Sequence, residues 1–333
     1  MSESISAARS RAMLRTAMGP TIAEALADPE VIEIMVNPDG RLWLDRLGRG
    51  RLDSGICFEA DKIERIIRLV ASHARTEAHA AAPIVSSELP PHGQSAGERF
   101  EGVLPPVSMG PCFSIRKPAA KIHHLLDYVR DGIMTAEMAR LLAMAVHDRL
   151  NILVVGGTSS GKTTLANALL AEMGGLDERV ILIEDTRELQ CAARDTVALR
   201  TRMVGGSAVG AVTMADLVRS TLRLRPDRII VGEVRGREAL DMLKAWNTGH
   251  PGGIATIHAN SALAALYRVE QLIQEAVVTV PRRLIAEAID LIVFISGRGL
   301  ARRVDTVARV AGLDPDGGYG LIDLAPPFQA EGE

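Results

Sequence analysis

The sequence predicts an α/β protein: a mostly parallel sheet with helices on both faces, preceded by a smaller α+β unit. Three observations carry this. Residues 156–163 (GGTSSGKT) hold a glycine, four free positions and Gly-Lys-Thr, between an apolar run of strand length, Asn151–Val155, and helix formers at Thr164–Leu170. From residue 138 onward, apolar runs at Asn151–Val155, Val180–Ile183, Arg228–Val231, Ile254–Ile257 and Leu291–Ile295 alternate with helical stretches, the order that parallel strands with helical crossovers produce. Before residue 117 the order is different, with a hairpin signature and connections rich in Pro, Gly and Ser.

A chain of 333 residues that is 47% hydrophobic has the length for about two domains and the apolar content for ordinary packed cores. The net charge of -3 supplies no global attraction to nucleic acid or anionic membrane, so no direct DNA binding is indicated. Cys57, Cys112 and Cys191 are odd in number, widely spaced and without a CxxC pair, which suits neither a disulfide framework nor a zinc site and fits a reducing cytoplasm. The first residues lack an uninterrupted apolar h-region, and no segment approaches the roughly 20 apolar residues of a membrane span. The expected location is therefore cytoplasmic, with any membrane association coming through partners.

In chain order, Arg9–Leu26 reads as a helix broken at Gly19-Pro20, and Val31–Val36 and Arg41–Asp45 as two strands of a hairpin turned by Asn37-Pro38-Asp39-Gly40. Asp61–Ser72 carries Ile63, Ile66, Ile67 and Val70 at helical spacing, with Asp61 and Glu64 placed as a capping box. Strands are expected at Arg99–Leu104 and Cys112–Arg116. The segment 118–134, with Pro118 and Asp131-Gly132, reads as a linker between an N-terminal α+β domain, 1–117, and a second domain, 135–325. Met138, Leu141, Leu142, Ala145 and Val146 open that domain as an amphipathic helix. Gly312 and Asp316-Gly317-Gly318 mark a terminal strand pair, and 326–333 reads as a disordered tail.

The glycine loop is a phosphate-binding structure. Backbone N–H groups from Gly157, Thr158, Ser159, Ser160 and Gly161 close around phosphate oxygens, and the positive end of the following helix favours the same anion. Lys162 would reach the β- and γ-phosphates, the Thr163 hydroxyl would bind Mg²⁺, and Thr164 completes the first turn. Only five of the 38 basic residues are Lys, so a Lys at the one position that needs it is unlikely to be an accident.

Other candidates end the neighbouring apolar runs. Glu233 follows Arg228–Val231 directly, where it can orient or deprotonate an attacking water or hold the water shell of Mg²⁺; a strand-end Glu that caps the next helix is the competing reading. Glu184 and Asp185 end Val180–Ile183, with Glu188 one turn on, a carboxylate cluster relieved either by Mg²⁺ or by Arg partners. Thr256 and His258 follow the glycines of Thr248–Gly253, where both could report on the nucleotide or a neighbouring subunit; His258 closes the same sheet edge, or serves structure alone. Arg223, Arg225 and Arg235 flank the Glu233 strand and suit bidentate contact with phosphate.

Four segments thus stand in order: GGTSSGKTT, VILIEDTREL, LRLRPDRIIVGEVRG and TGHPGGIATIHAN. Together they resemble the Walker A motif, Asp box, Walker B motif and His box of the ATPases of type IV secretion, type II secretion and type IV pili. The stretches VIEIMVNPDGRLWLDRLG and RFEGVLPPVSMGPCFSIRKP resemble most closely the TrbB-type conjugal-transfer ATPases. The resemblance implies a RecA-like P-loop NTPase motor behind a smaller N-terminal domain, ATP with Mg²⁺ as cofactors, a cytoplasmic homohexamer, and inner-membrane components of a secretion or conjugation channel as partners. It also implies that Arg99 and Arg116 reach the nucleotide. The residue reading adds Glu233 and Glu188 for water activation and metal support, with Thr163, Glu184 and Asp185 around the metal. Arg223 and Arg235 would stabilise charge. A pilus or type II secretion motor shares all four boxes, although the tetra-cysteine insertion common in the type II branch is absent. The glycine-rich stretch Arg202–Val212 matches no motif, and no Asn-Lys-x-Asp guanine signature occurs.

Overall fold

The computed structural model describes residues 5–90, 97–118, 122–202 and 210–325. The chain divides into two compact units, the first over Met1–Ala120 and the second over Lys121–Arg202 and Val212–Glu333. The tail at 326–333 and the centre of the glycine-rich stretch, 203–209, lie outside the described residues. The ends of that stretch are closed by an antiparallel bridge in which Arg202 and Val212 exchange two N–H···O bonds of 2.9 Å.

The first unit runs α1 (Ile5–Ala27), β1 (Val31–Val36), β2 (Arg41–Arg46), β3 (Gly50–Cys57), α2 (Ala60–Ala74), β4 (Ile84–Glu88), β5 (Arg99–Val103) and β6 (Cys112–Arg116). Its six strands form an antiparallel sheet in the order β3-β2-β1-β6-β5-β4. Helix α1 breaks at Gly19, where φ is 72°, as Gly19-Pro20 predicts. The apolar stripe of α2, Ile63, Ile66, Ile67 and Val70, is buried with Ile34, Phe100 and Ile115 of the sheet and Leu14 and Ile22 of α1.

One expectation needs correction here, and one strand has no counterpart in the sequence reading. The helix begins at Ala60 behind Glu59, which makes no side-chain cap, so Asp61 lies inside the first turn and complements the helix dipole instead of capping it. Glu64 meanwhile pairs with Arg68 at 2.6 Å along the helix. Strand β3 adds to the hairpin without any sequence signal, because seven of its eight residues are exposed and nothing in it alternates.

The second unit continues with α3 (Leu125–Arg130), α4 (Ala136–His147), β7 (Ile152–Gly156), α5 (Lys162–Ala171), β8 (Arg179–Glu184), β9 (Asp195–Arg200), α6 (Met214–Thr221), β10 (Arg228–Val231), α7 (Glu238–Asn247), β11 (Ile254–His258), α8 (Ala262–Gln274), α9 (Arg282–Ala288), β12 (Leu291–Ser296), β13 (Arg303–Leu313) and β14 (Tyr319–Asp323). The eight strands lie in the order β14-β13-β12-β7-β11-β10-β8-β9. From β12 to β9 every pairing is parallel, and β13 and β14 complete the sheet antiparallel. Alternate residues of β7 face opposite layers: Leu153 and Val155 pack with α6 to α9, and Ile152 and Val154 with α3 to α5.

The predicted linker is shorter than 118–134. Leu125, Tyr128 and Met134 are 1–3% exposed and belong to the core that holds α4 and α5, so burial, not flexibility, orders residues 125–134. Close packing of backbone explains Gly253, where a Cβ would lie 2.0 Å from Trp246 Nε1, the group that donates to Ile229 O.

Candidate active site

Strand β7 sits between β11 and β12, all three parallel, so the loop that follows it leaves from the carboxyl edge with a neighbour on each flank. The loop starts where a side chain cannot: a Cβ on Gly156 would meet Ile295 O at 2.3 Å and Ser160 Oγ at 2.5 Å. It then turns through positive φ at Ser159 (62°) and Gly161 (94°), the backbone form that turns successive N–H groups inward. Gly157, Thr158 and Ser159 are exposed, while Ser160 is buried with an Oγ that has no hydrogen-bond partner. Lys162, Thr163 and Thr164 form the first turn of α5, with Gly161 at its cap. An exposed concave backbone, a helix N-terminus and a buried cation fit a phosphate chain.

The Lys162 ammonium donates to Gly157 O at 2.8 Å and lies 3.2 Å from His258 Nδ1. Register explains the second contact, since His258 ends β11 directly opposite Gly156. On its far side His258 Nε2 is 2.8 Å from Glu233 Oε1, and Glu233 Oε2 accepts from Arg235 Nη2. With Nδ1 facing an ammonium, the imidazole proton belongs on Nε2. The result is a continuous chain, Lys162–His258–Glu233–Arg235, across the sheet edge.

Backbone bonds between strands hold this chain in place. Strand β10 hands over to Gly232, whose N–H donates to Ile183 O at 2.9 Å, and Val234 N–H donates to Thr256 O at 2.9 Å. Thr256 itself is buried and donates its hydroxyl to Gly232 O at 2.6 Å. Thr256 thus positions the Glu233 turn.

Burial pulls Glu233 toward its neutral form, but the hydrogen bond and charge of Arg235, with His258 and Lys162 beyond, prevail and hold the carboxyl below the ordinary range. For His258, burial and the Lys162 charge outweigh Glu233 and lower the imidazole. Both groups are ready at neutral pH, one as a carboxylate and one as a neutral ring.

This has a consequence for stability. A group whose folded pKa lies below its unfolded one contributes stability that is complete above the unfolded value and is lost as pH falls toward the folded value. For His258 the loss begins near the ordinary imidazole pKa of about 6.5. His258→Gln is expected to flatten the fall in melting temperature between about pH 7 and pH 5. Thermal melts across that range check it, and parallel curves for wild type and variant would refute a neutral His258.

The other sequence candidates take different places. Glu184 is 3% exposed, and its Oε1 accepts from Glu188 N at 2.8 Å and Leu189 N at 2.7 Å. It thereby shapes the 185–189 loop. Asp185 accepts from Thr201 Oγ1 at 2.9 Å. The charges of Asp185 and Glu188 act on Arg235, so arginine relieves this cluster. Among the described residues no three His, Cys, Asp or Glu side chains are grouped to hold a metal.

Arg223 is exposed and precedes β10, so it lies at the amino end of a strand whose carboxyl end carries Glu233, and it does not join the site of its own chain. Arg99 and Arg116 belong to the first unit, where they are register partners on β5 and β6, with Glu33 opposite Arg116 on β1.

Three residues escaped the sequence reading. Asn167 of α5 is buried, donates to Glu188 O at 3.0 Å and accepts from Gln190 N at 2.9 Å, which ties the phosphate-loop helix to the carboxylate loop. Arg298 Nε donates to Thr158 O at 3.1 Å, and the Arg302 guanidinium lies against Gly161. Their only sequence signal is an Arg-rich turn after an apolar run.

A family model described as "Type II/IV secretion system protein" matches residues 18–316. The conjugal transfer protein TrbB of Rhizobium radiobacter is 48% identical over 301 residues, covering 90% of each chain. The type IV secretion system protein PtlH of Bordetella pertussis is 35% identical over 312 residues, covering 84% of this chain and 90% of that one. Among solved structures, the pilus retraction motor PilT with bound ADP aligns with a TM-score of 0.59 at 19% identity, over 94% of this chain and 83% of that one. The fold is that of a RecA-like P-loop motor, and the chain belongs to the type II/IV secretion system protein family, alongside the TrbB conjugal transfer proteins.

Proposed function

We propose that this chain is a P-loop ATPase that hydrolyses ATP with Mg²⁺ to power assembly of, or substrate transfer through, a conjugative type IV secretion system. The observation that carries the reading is the chain Lys162–His258–Glu233–Arg235, which puts a carboxylate, a neutral imidazole and two cations beside a phosphate loop. The names of the relatives, a conjugal transfer protein and a type IV secretion system protein, support the biological setting.

In this reading the N–H groups of residues 157–162 and the Lys162 ammonium hold the β- and γ-phosphates. Thr163 would hold Mg²⁺, which would supply neutralisation of charge on the phosphate oxygens; Mg²⁺ ordinarily takes one or two protein ligands and leaves the rest of its shell to phosphate and water. Glu233 accepts a proton from the attacking water as that oxygen bonds to the γ-phosphorus and the bond to the β–γ bridging oxygen breaks. Arg235 and His258 fix the Glu233 carboxylate, and Glu188 stands beside Arg235. Arg99 and Arg116 supply further cations to the nucleotide. The working form is a cytoplasmic homohexamer that meets inner-membrane channel components.

Purified protein should release phosphate from ATP in the presence of Mg²⁺ and lose this release when EDTA is added. Release from GTP at an equal rate would overturn the ATP assignment, and no release from either in the assembled hexamer would overturn the enzymatic one.

A further inference from the structure

The flank of the phosphate loop opposite His258 carries its own polar groups. Strand β12 pairs with β7 in register, Ile295 opposite Gly156, so the connection from β12 to β13 emerges beside the loop at the same edge. That connection is tight. Gly297 has a φ of 72°, a Cβ there would lie 2.0 Å from Ala301 O, and Ala301 N–H closes a turn to Arg298 O at 3.1 Å. The turn delivers two arginines. Arg298 Nε donates to Thr158 O at 3.1 Å and so fixes the rim of the loop.

Arg302 lies lower. A Cβ on Gly161 would be 3.0 Å from its Cζ and Nε, so the guanidinium rests directly on the residue before Lys162. Its Nε is buried and has no hydrogen-bond partner. The Tyr128 hydroxyl of α3 is also buried without a partner, in a side chain 3% exposed, and the Arg302 charge acts on it. Buried donors without acceptors are rare because each one forfeits its solvation, and such a donor resting on the residue before Lys162 is one that an anionic ligand would satisfy.

We propose that Arg302 binds the α-phosphate of the nucleotide and that the unpartnered Tyr128 hydroxyl supports it there. The reasoning is directional. Glu233 and His258 occupy the β11 flank, where the γ-phosphate is attacked, so the β12 flank faces the other end of the same phosphate chain. A guanidinium is suited there because its planar fork donates to two oxygens and stays charged when half-buried. Gly161 is then required twice, for its positive φ and for the space in which the guanidinium lies. The inference rests on the ATPase reading and adds a binding residue to it.

Equilibrium binding of ADP and of pyrophosphate, by calorimetry with the full-length protein, tests this. Arg302→Ala should weaken ADP about 10- to 100-fold, the range for loss of a charged hydrogen bond, and leave pyrophosphate, which needs only the β and γ positions, within about twofold. Arg302→Lys should recover part of the ADP affinity through charge alone. Tyr128→Phe, which removes one oxygen from a packed ring, should cost about threefold to tenfold on ADP. Unchanged ADP affinity in folded Arg302→Ala would overturn the proposal, as would an equal loss for ADP and pyrophosphate, which marks general damage to the loop. Failure of wild-type protein to bind either ligand would instead sink the ATPase reading itself.

Discussion

Lys162→Ala is expected to reduce ATP hydrolysis below detection while leaving the fold intact. Lys162 is 7% exposed, opens α5 and directs its ammonium to Gly157 O and His258 Nδ1, polar groups at the sheet edge and not part of the hydrophobic core. Alanine is the best helix former, and the packing of α5 comes from Leu165, Leu169 and Leu170. Against this small structural effect stands the loss of charged contacts to two phosphates. At about 1.5–3 kcal/mol each, these amount to roughly 10²- to 10⁴-fold in nucleotide affinity. Phosphate release and a thermal melt on the same preparation check both halves. A variant that melts normally and still turns over ATP would refute the role of the loop.

How far the sequence reveals this site depends on what each residue needs. The loop, Glu233 and His258 are legible because each ends an apolar run, and apolar runs separated by helices form a parallel sheet with all their carboxyl ends on one edge. No sequence pattern states which strands are neighbours. That β11 and β12 flank β7 is a matter of crossover order, and it decides both that His258 faces Lys162 and that Arg302 faces Gly161.

Positioning residues are equally hidden. Glu184 reads as one more acid in a cluster until Glu188 and Leu189 are seen to fold back and donate to it. Thr256 reads as a polar end until its hydroxyl meets Gly232 O. In the fold, the strands buried on both faces are legible as apolar runs, and the exposed β3 and the edge strand β9 are not, since burial is what writes an apolar pattern into sequence. Leu125–Met134 fails for the opposite reason: Asp131-Gly132 is a real turn, but the residues around it are core.

Glu233→Gln is expected to keep nucleotide binding and lose about 10²- to 10⁴-fold in turnover, the usual contribution of a positioned base. The substitution is nearly isosteric. An amide oxygen can still accept from Arg235, and no cavity forms where the carboxylate stood. The direction of the Glu233 pKa sharpens the reading. A carboxyl held below its ordinary range by Arg235 is fully ionised at neutral pH but is a weak base while that arginine remains on it. Two roles are then open to it, and the variant separates them. Orienting water needs only an acceptor, which glutamine retains, so a loss under about tenfold would assign Glu233 to orientation. Accepting a proton needs the carboxylate, and the larger loss, confined to kcat with KM nearly unchanged, marks an interaction realised in the transition state. Loss of ADP binding in the same variant would show that Glu233 holds the site together, and would remove it from the chemistry.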